Sequence, residues 1–252
     1  MEVVSMINDR HLGDTIAIMT LLHSRAIETG EKFSLFGPSH IEDLLHLFEF
    51  CGLQYDGPQS KNHRIQQSII KLMPTYDSGP LKNNSATVTF LRLSLFKTDN
   101  QWKYIYPKKI TLPKKRFSVP KENILCFQFD MRSPHRGKPK ITNFEARSFL
   151  RKHKAGFSQV FGIGGVDTNK YLPEYDFFLG NIKELSYFMA SCSLFVGIDS
   201  GMSHLAGICG CEGEILMSHE IKSDFTDLME FYKKMYPSLR THLRGNSQIP
   251  FI

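Results

Sequence analysis

The residues Asp199-Ser200-Gly201-Met202-Ser203-His204 follow directly on the apolar run Leu194-Phe-Val-Gly-Ile198. A run of that length reads as a buried strand whose C-terminal end delivers a carboxylate, a hydroxyl and a permissive glycine to one point. Ser203 and His204 fall in the first turn of a following helix, where unpaired N–H groups and the positive dipole end favour an anion. The chemistry is that of a phosphate pocket. A second group, Arg132, Ser133, His135, Arg136, Gly137, Lys138 and Lys140, comes just after the strand expected over 123–129. Its four cations can neutralise a pyrophosphate and offset charge on a leaving nucleoside diphosphate, or they can be a solvated loop. Gly13-Asp14 stands where a first strand hands over to a first helix, a place where an Asp caps a helix or works as a base. On these residues alone the cap is the plainer reading. Phe161-Gly-Ile-Gly164-Gly-Val-Asp167 fails the dinucleotide fingerprint because Asp167 stands where the last glycine belongs, so Gly164 reads as part of a tight strand exit.

The elements that must position these groups alternate. The first half predicts strands over 2–7 and 33–36 and helices over 15–29 and 41–50, which is the β-α-β-α order of a parallel sheet covered by helices. Residues 86–96 and 102–106 read as further strands, and 107–120, with three prolines and five Lys or Arg, as an exposed basic linker. The second half restarts with strands over 123–129, 158–163, 177–179 and 194–198. Helices are expected over 143–154, 182–191 and 203–208, and a terminal helix over 224–239. The expected fold class is therefore α/β, with two Rossmann-like lobes facing a cleft. The lobes are residues 1–117 and 118–223, followed by a C-terminal helix and tail over 224–252.

The 252 residues carry a net charge of +6 and a pI near 9.0, which points to a polyanionic partner without choosing among nucleotide, phosphorylated glycan, anionic lipid surface or nucleic acid. Five scattered cysteines imply reduced thiols and no disulfide framework. Cys209 and Cys211 read as small core residues, since a lone C-x-C is weak evidence for zinc. Glu2, Asp9 and Arg10 are at odds with a signal peptide, and no apolar run approaches the ~20 residues of a membrane span. The expected location is cytoplasmic, with peripheral contact at the inner membrane face left open.

Residues 181–206, Asn-Ile-Lys-Glu-Leu-Ser-Tyr-Phe-Met-Ala-Ser-Cys-Ser-Leu-Phe-Val-Gly-Ile-Asp-Ser-Gly-Met-Ser-His-Leu-Ala, resemble the donor-binding segment of the heptosyltransferase-like glycosyltransferases, family 9, which have the GT-B fold. In that family a helix ending in E-L-a-a-l-i-a and a strand l-v-V-g-v-D lead into [ST]-G-x-x-H-L-A. Gly13-Asp14-Thr15-Ile16 resembles the family's early G-D-x-[IL] motif, and 133–140 falls where the family has a basic loop. The departures are Asn8, where a basic residue is usual, Thr20, where proline is usual, and a shorter chain with a reduced N-terminal lobe.

The resemblance implies an inverting glycosyltransferase that needs no metal or other cofactor and moves a sugar from a nucleotide-sugar donor to an acceptor hydroxyl. Asp14 would be its base, and Lys138 and Lys140 would offset leaving-group charge. Gly13, Arg132, Ser133, Arg136, Gly164, Asp199, Ser200, Gly201, Met202, Ser203 and His204 would bind the donor. The implied acceptor is a saccharide or lipid-linked saccharide such as lipopolysaccharide core. The basic balance keeps open hydroxymethylated bases in DNA. A nucleotide-sugar-binding protein without transferase activity and a GT-B-fold epimerase or hydrolase are the remaining readings.

Overall fold

The computed structural model describes residues 2–6, 12–37, 39–48, 52–57, 95–98, 101–104, 109–113, 120–130, 141–164, 172–217, 232–233 and 235–243. Its internal contacts divide the chain into two compact units, Met1–Lys114 with Thr226–Met235 and Lys115–Phe225 with Tyr236–Ile252. The expectations that fall on 7–11, 58–94, 131–140 and 224–231 lie outside the described residues.

The first unit contains a five-stranded sheet of order β3-β2-β1-β4-β5, with β1 Glu2–Met6, β2 Lys32–Phe36, β3 Leu53–Tyr55, β4 Leu95–Thr98 and β5 Gln101–Tyr104. β1, β2 and β3 run parallel, as the β-α-β order predicts, while β4 pairs antiparallel with both β1 and β5. The sheet is thus mixed, and two residues, Asp99-Asn100, separate the antiparallel strands, a length and composition suited to a hairpin. Helix α1, Leu12–Thr29, buries Ile16, Met19, Leu21 and Leu22. It ends at Gly30, whose φ of 72° is the left-handed conformation that glycine adopts without strain. Helix α2, His40–Leu45, is shorter than the expected 41–50.

Ser24, buried on α1, accepts a hydrogen bond from the Thr111 backbone N–H at 2.8 Å. Part of the segment expected as an exposed linker is therefore held against the helix. A buried hydroxyl that meets an approaching backbone with its own donor and acceptor makes that docking favourable.

The second unit contains a six-stranded, wholly parallel sheet of order β11-β10-β9-β6-β7-β8. Its strands are β6 Glu122–Gln128, β7 Gln159–Gly164, β8 Asp176–Leu179, β9 Cys192–Ile198, β10 Glu212–Met217 and β11 Leu239–Leu243. Helix α3, Asn143–His153, starts in a capping box in which Thr142 accepts from the Glu145 N–H and Glu145 answers to the Thr142 N–H. Helix α4, Ile182–Ser191, starts in the same way from Asn181 and Glu184. Ala146, Phe149 and Leu150 of α3 join Leu125, Phe127, Val196, Ile198 and Leu216 in one buried cluster. Strands covered on both faces read as continuous apolar runs, which is why the sequence pattern shows them so clearly.

The tail corrects the expectation of a terminal helix through 239. Tyr232, Lys233 and Met235 are helical, but the helix gives way at Tyr236-Pro237 and Leu239–Leu243 forms an edge strand in parallel register with β10. Proline cannot supply the N–H that a continuing helix needs, and Leu239-Arg-Thr-His-Leu243 alternates as a half-covered strand does. Among the described residues no helix is long and apolar enough to cross a membrane.

Candidate functional site

The strand order places a topological switch point between β6 and β9. From β6 the chain proceeds through β7 to β8 on one side, then returns to β9 and continues to β10 and β11 on the other. In open α/β sheets the crevice beyond the carboxyl ends of such a pair is where ligands bind. Gln128 ends β6, and Asp199-Ser200 follow the end of β9. The Ser200 hydroxyl donates to Gln128 Oε1 at 3.0 Å, tying the two strand ends together across that point.

Helix α5, Gly201–Ile208, begins at once after Ser200, whose backbone is extended at φ −158°, ψ 170°. The Ser200 carbonyl accepts the N–H groups of Ser203 and His204 at 3.1 and 3.3 Å. Ser203 is wholly buried, and its hydroxyl closes the turn by donating to the Ser200 carbonyl at 2.6 Å and accepting the Ser200 N–H at 3.1 Å. Gly201 and Met202 supply the first two N–H groups of the helix, which have no carbonyl one turn back. Both residues are partly exposed, so these donors stand at the mouth of the switch point with the positive end of the helix dipole. Such a helix start favours a negatively charged group.

The turn lies close to the strand because Gly197 lets it. A Cβ at Gly197 would stand 2.7 Å from the Gln128 carbonyl oxygen and 2.7 Å from the Phe195 ring, so glycine is required for β6 and β9 to keep their spacing.

His204 is buried, and its Nδ1 lies 2.9 Å from the Tyr236 hydroxyl. Its Nε2 stands 3.9 Å from an Asp199 carboxylate oxygen, beyond hydrogen-bond length. Burial pushes the imidazole pKa down to about 4, against a smaller upward pull from the Asp199 carboxylate. A neutral ring held by Tyr236 braces the turn from behind. Tyr236 itself is fully buried, and its ring passes where a Cβ of Gly207 would come within 2.5 Å.

The second buried histidine, His23 on α1, has no hydrogen-bond partner on either ring nitrogen among the described residues, and burial lowers its pKa to about 4. Both rings are neutral in the fold and charged in the unfolded chain between about pH 4 and 6.5, so the unfolded state binds more protons there. Stability is therefore full above pH 6.5 and is lost as the pH falls toward 4, by on the order of 3 kcal/mol per ring. Urea midpoints measured from pH 7.5 to 4.5 are expected to fall across that window. A His204→Gln variant should flatten part of the slope.

Two residues of this arrangement escape sequence reasoning. Gln128 is the one polar residue at the end of an apolar strand, a signal that marks a strand mouth once the switch point is known. Tyr236 carries no such signal, because its value depends on the tail returning beside α5.

The remaining sequence-predicted residues fall in different places. Gly13 and Asp14 lie in the first turn of α1, which begins at Leu12 rather than at Thr15. Asp14 is thus inside the helix rather than its N-cap, and its side chain lies outside the described residues. Thr15 beside it lies with its hydroxyl 2.9 Å from His40 Nε2. Arg132, Ser133, Arg136, Lys138 and Lys140 also lie outside the described residues. Gly164 ends β7, one strand removed from β9, and its carbonyl accepts the Gly180 N–H at 3.2 Å. Cys126, Cys192, Cys209 and Cys211 are buried free thiols, and burial pushes Cys126 and Cys209 well above the ordinary thiol range, so both stay protonated. Cys209 and Cys211 are core residues, as the sequence suggests.

No family model and no curated protein matches the sequence. Solved structures do match in fold. The ADP-heptose lipopolysaccharide heptosyltransferase II of E. coli superposes with a TM-score of 0.57 at 12% identity, over 96% of this chain and 90% of its own. The family-9 glycosyltransferase of Veillonella parvula gives 0.56 at 11% identity, over 98% and 88%. The dodecameric, iron-containing heptosyltransferase TibC in complex with ADP-D-β-D-heptose gives 0.56 at 15% identity, over 88% of this chain and 59% of its own. The α/β architecture, with one wholly parallel and one mixed sheet, fits a GT-B-like glycosyltransferase fold.

Proposed function

We propose that the chain is an inverting glycosyltransferase that takes a sugar from a nucleotide-sugar donor and gives it to an acceptor hydroxyl without a metal on the diphosphate. What supports the reading is the start of α5, where two amide donors and a helix dipole open onto the switch point between β6 and β9. The neighbours in fold act on such donors, being described as heptosyltransferases, one of them in complex with ADP-heptose.

In this reading residues 118–223 form the donor lobe and residues 1–117 the acceptor lobe of a two-lobed protein. The Gly201 and Met202 amides bind the diphosphate, with Asp199 and Ser200 beside it and Ser203 and His204 fixing the turn from inside. Gly13, Arg132, Ser133, Arg136 and Gly164 complete the donor site. Lys138 and Lys140 offset the charge that develops on the departing nucleoside diphosphate. Asp14 removes the proton from the acceptor hydroxyl as its oxygen attacks the anomeric carbon from the face opposite the leaving group, which inverts that centre. The sequence has no D-x-D motif, the usual carboxylate pair for a metal-bound diphosphate, and the helix amides and cations take that place. The acceptor is a cell-envelope saccharide, as the likeness to lipopolysaccharide heptosyltransferases suggests. The anionic character of such a surface suits a chain of net charge +6.

Thermal denaturation with a panel of nucleoside diphosphates and nucleotide-sugars tests the donor site. A ligand at a hundred times its Kd is expected to stabilise the fold by about 2.7 kcal/mol. No shift with any nucleoside diphosphate would contradict the reading.

A further inference from the structure

Three side chains on the face of the second sheet that α3 covers converge away from the start of α5. Glu214 lies on β10, His242 on the edge strand β11, and His153 at the last residue of α3. One ligand atom from each lies within 4.8 Å of the others. Glu214 is buried, a costly place for a carboxylate unless it is paired. Its two oxygens are shared between His242 Nε2 and the Arg240 guanidinium, the latter 3.3 Å away on a side chain that is 77% exposed. His153 Nε2 is buried and has no hydrogen-bond partner among the described residues.

The backbone explains the convergence. Glu214 and Leu216 project to one face of β10, and their parallel partners on β11 are Arg240 and His242. Phe149, one turn before His153 on α3, packs its ring against both imidazoles, at 4.9 Å from His153 and 5.7 Å from His242. The rings are thereby held 6.0 Å apart beside the carboxylate. Two imidazoles and one carboxylate are a donor set for a first-row divalent cation of borderline softness. An orphaned imidazole nitrogen on a ring held beside a buried carboxylate is the feature that an ion pair alone leaves unexplained.

We infer that His153, Glu214 and His242 form a zinc-type divalent cation site that ties the end of α3 to β10 and to the edge strand β11. Ligand atoms around tetrahedral zinc stand about 3.3 Å apart, given bonds of ~2.0–2.1 Å, so binding moves His242 and Glu214 out of hydrogen-bond contact and brings all three ligand atoms to that common spacing. His153 is partly exposed at a helix end and has the freedom to turn. The His242 hydrogen bond to Glu214 is exchanged for two bonds to the ion, and solvent takes the remaining position. Arg240 competes for the same carboxylate, so its removal strengthens the site. The role is structural: β11 begins three residues after Tyr236, the residue that braces His204, so the ion would hold the strand that carries this brace.

The full chain, stripped with a chelator, is titrated calorimetrically with Zn²⁺, and with Co²⁺ followed by its visible d–d absorption. One ion per chain is expected, with His153→Gln weakening binding by about tenfold or more. The His153→Gln/His242→Gln pair should abolish the cobalt spectrum, and Arg240→Ala should tighten binding. His153→Gln is the folding-safe variant, and its melting temperature in chelator should match that of the parent chain. Absence of stoichiometric Zn²⁺ binding to the parent chain would overturn the site, as would parental affinity in His153→Gln.

Discussion

Asp14→Asn is expected to lower turnover by about 10²- to 10⁴-fold while leaving donor affinity where it is. Asparagine keeps the size and shape of the side chain and cannot take a proton at neutral pH, so only the proposed base function is removed. The position in the first turn of α1 sharpens the expectation, because Asp14 is inside the helix rather than at its cap. A carboxylate in a first helical turn gains about 0.3–1 kcal/mol from the helix dipole, far less than the loss expected for a base. Nucleoside diphosphate release in the presence of acceptor, set beside calorimetric donor binding, separates the two roles. Unchanged release with a small loss of melting temperature would make Asp14 a helix-end residue and nothing more.

Gly197→Ala is the second large effect, and it acts on the proposed donor site through the sheet. The added methyl meets the Gln128 carbonyl oxygen at 2.7 Å, and that obstacle is backbone, which cannot turn aside as a side-chain tip can. β6 and β9 must separate at the level where Ser200 reaches Gln128 Oε1. Overpacking of this kind costs about 1–3 kcal/mol, or about 2–4 °C of melting temperature per kcal/mol in a chain of this size. Nucleotide affinity should fall with it, because the first amides of α5 are aimed by that turn. An alanine variant that melts and binds as the parent does would show that the close strand approach is not needed.

The second half of the chain was legible because its elements obey one rule each. Residues 182–191 carry a capping box and an apolar stripe, 192–198 is an apolar run closed by Asp199-Ser200-Gly201, and each reads from local chemistry. The helix boundaries at Leu12 and Gly201 each fall earlier than expected, because Gly13 and Gly201 look like turn residues and in fact lie in first helical turns. β10 lies in Cys211-Glu-Gly-Glu-Ile-Leu-Met217, where two carboxylates mask a central strand, and one of them, Glu214, is buried against partners that only the folded chain assembles. The expected helix runs to Leu239 and leaves the rest of β11 in the tail, because the strand's identity depends on pairing with β10, a long-range fact that no local window contains. Tyr236 and the His153–Glu214–His242 cluster are illegible for the same reason. Their members stand tens of residues apart in the sequence and meet only through strand order.

The proposal that α5 opens onto a diphosphate is tested most directly by removing one of its first two amides, which have no carbonyl one turn back. Ser200 already has the extended backbone that a residue before proline requires, and the first helical position tolerates proline. Gly201→Pro therefore deletes one N–H donor and leaves the helix in place. In titration calorimetry with nucleoside diphosphates the parent chain should bind at least one of them, and Gly201→Pro, at an unchanged melting temperature, should bind it about 10- to 150-fold more weakly, the value of a hydrogen bond to a charged group. Equal affinity in the two proteins, or no binding by the parent chain, would contradict the account.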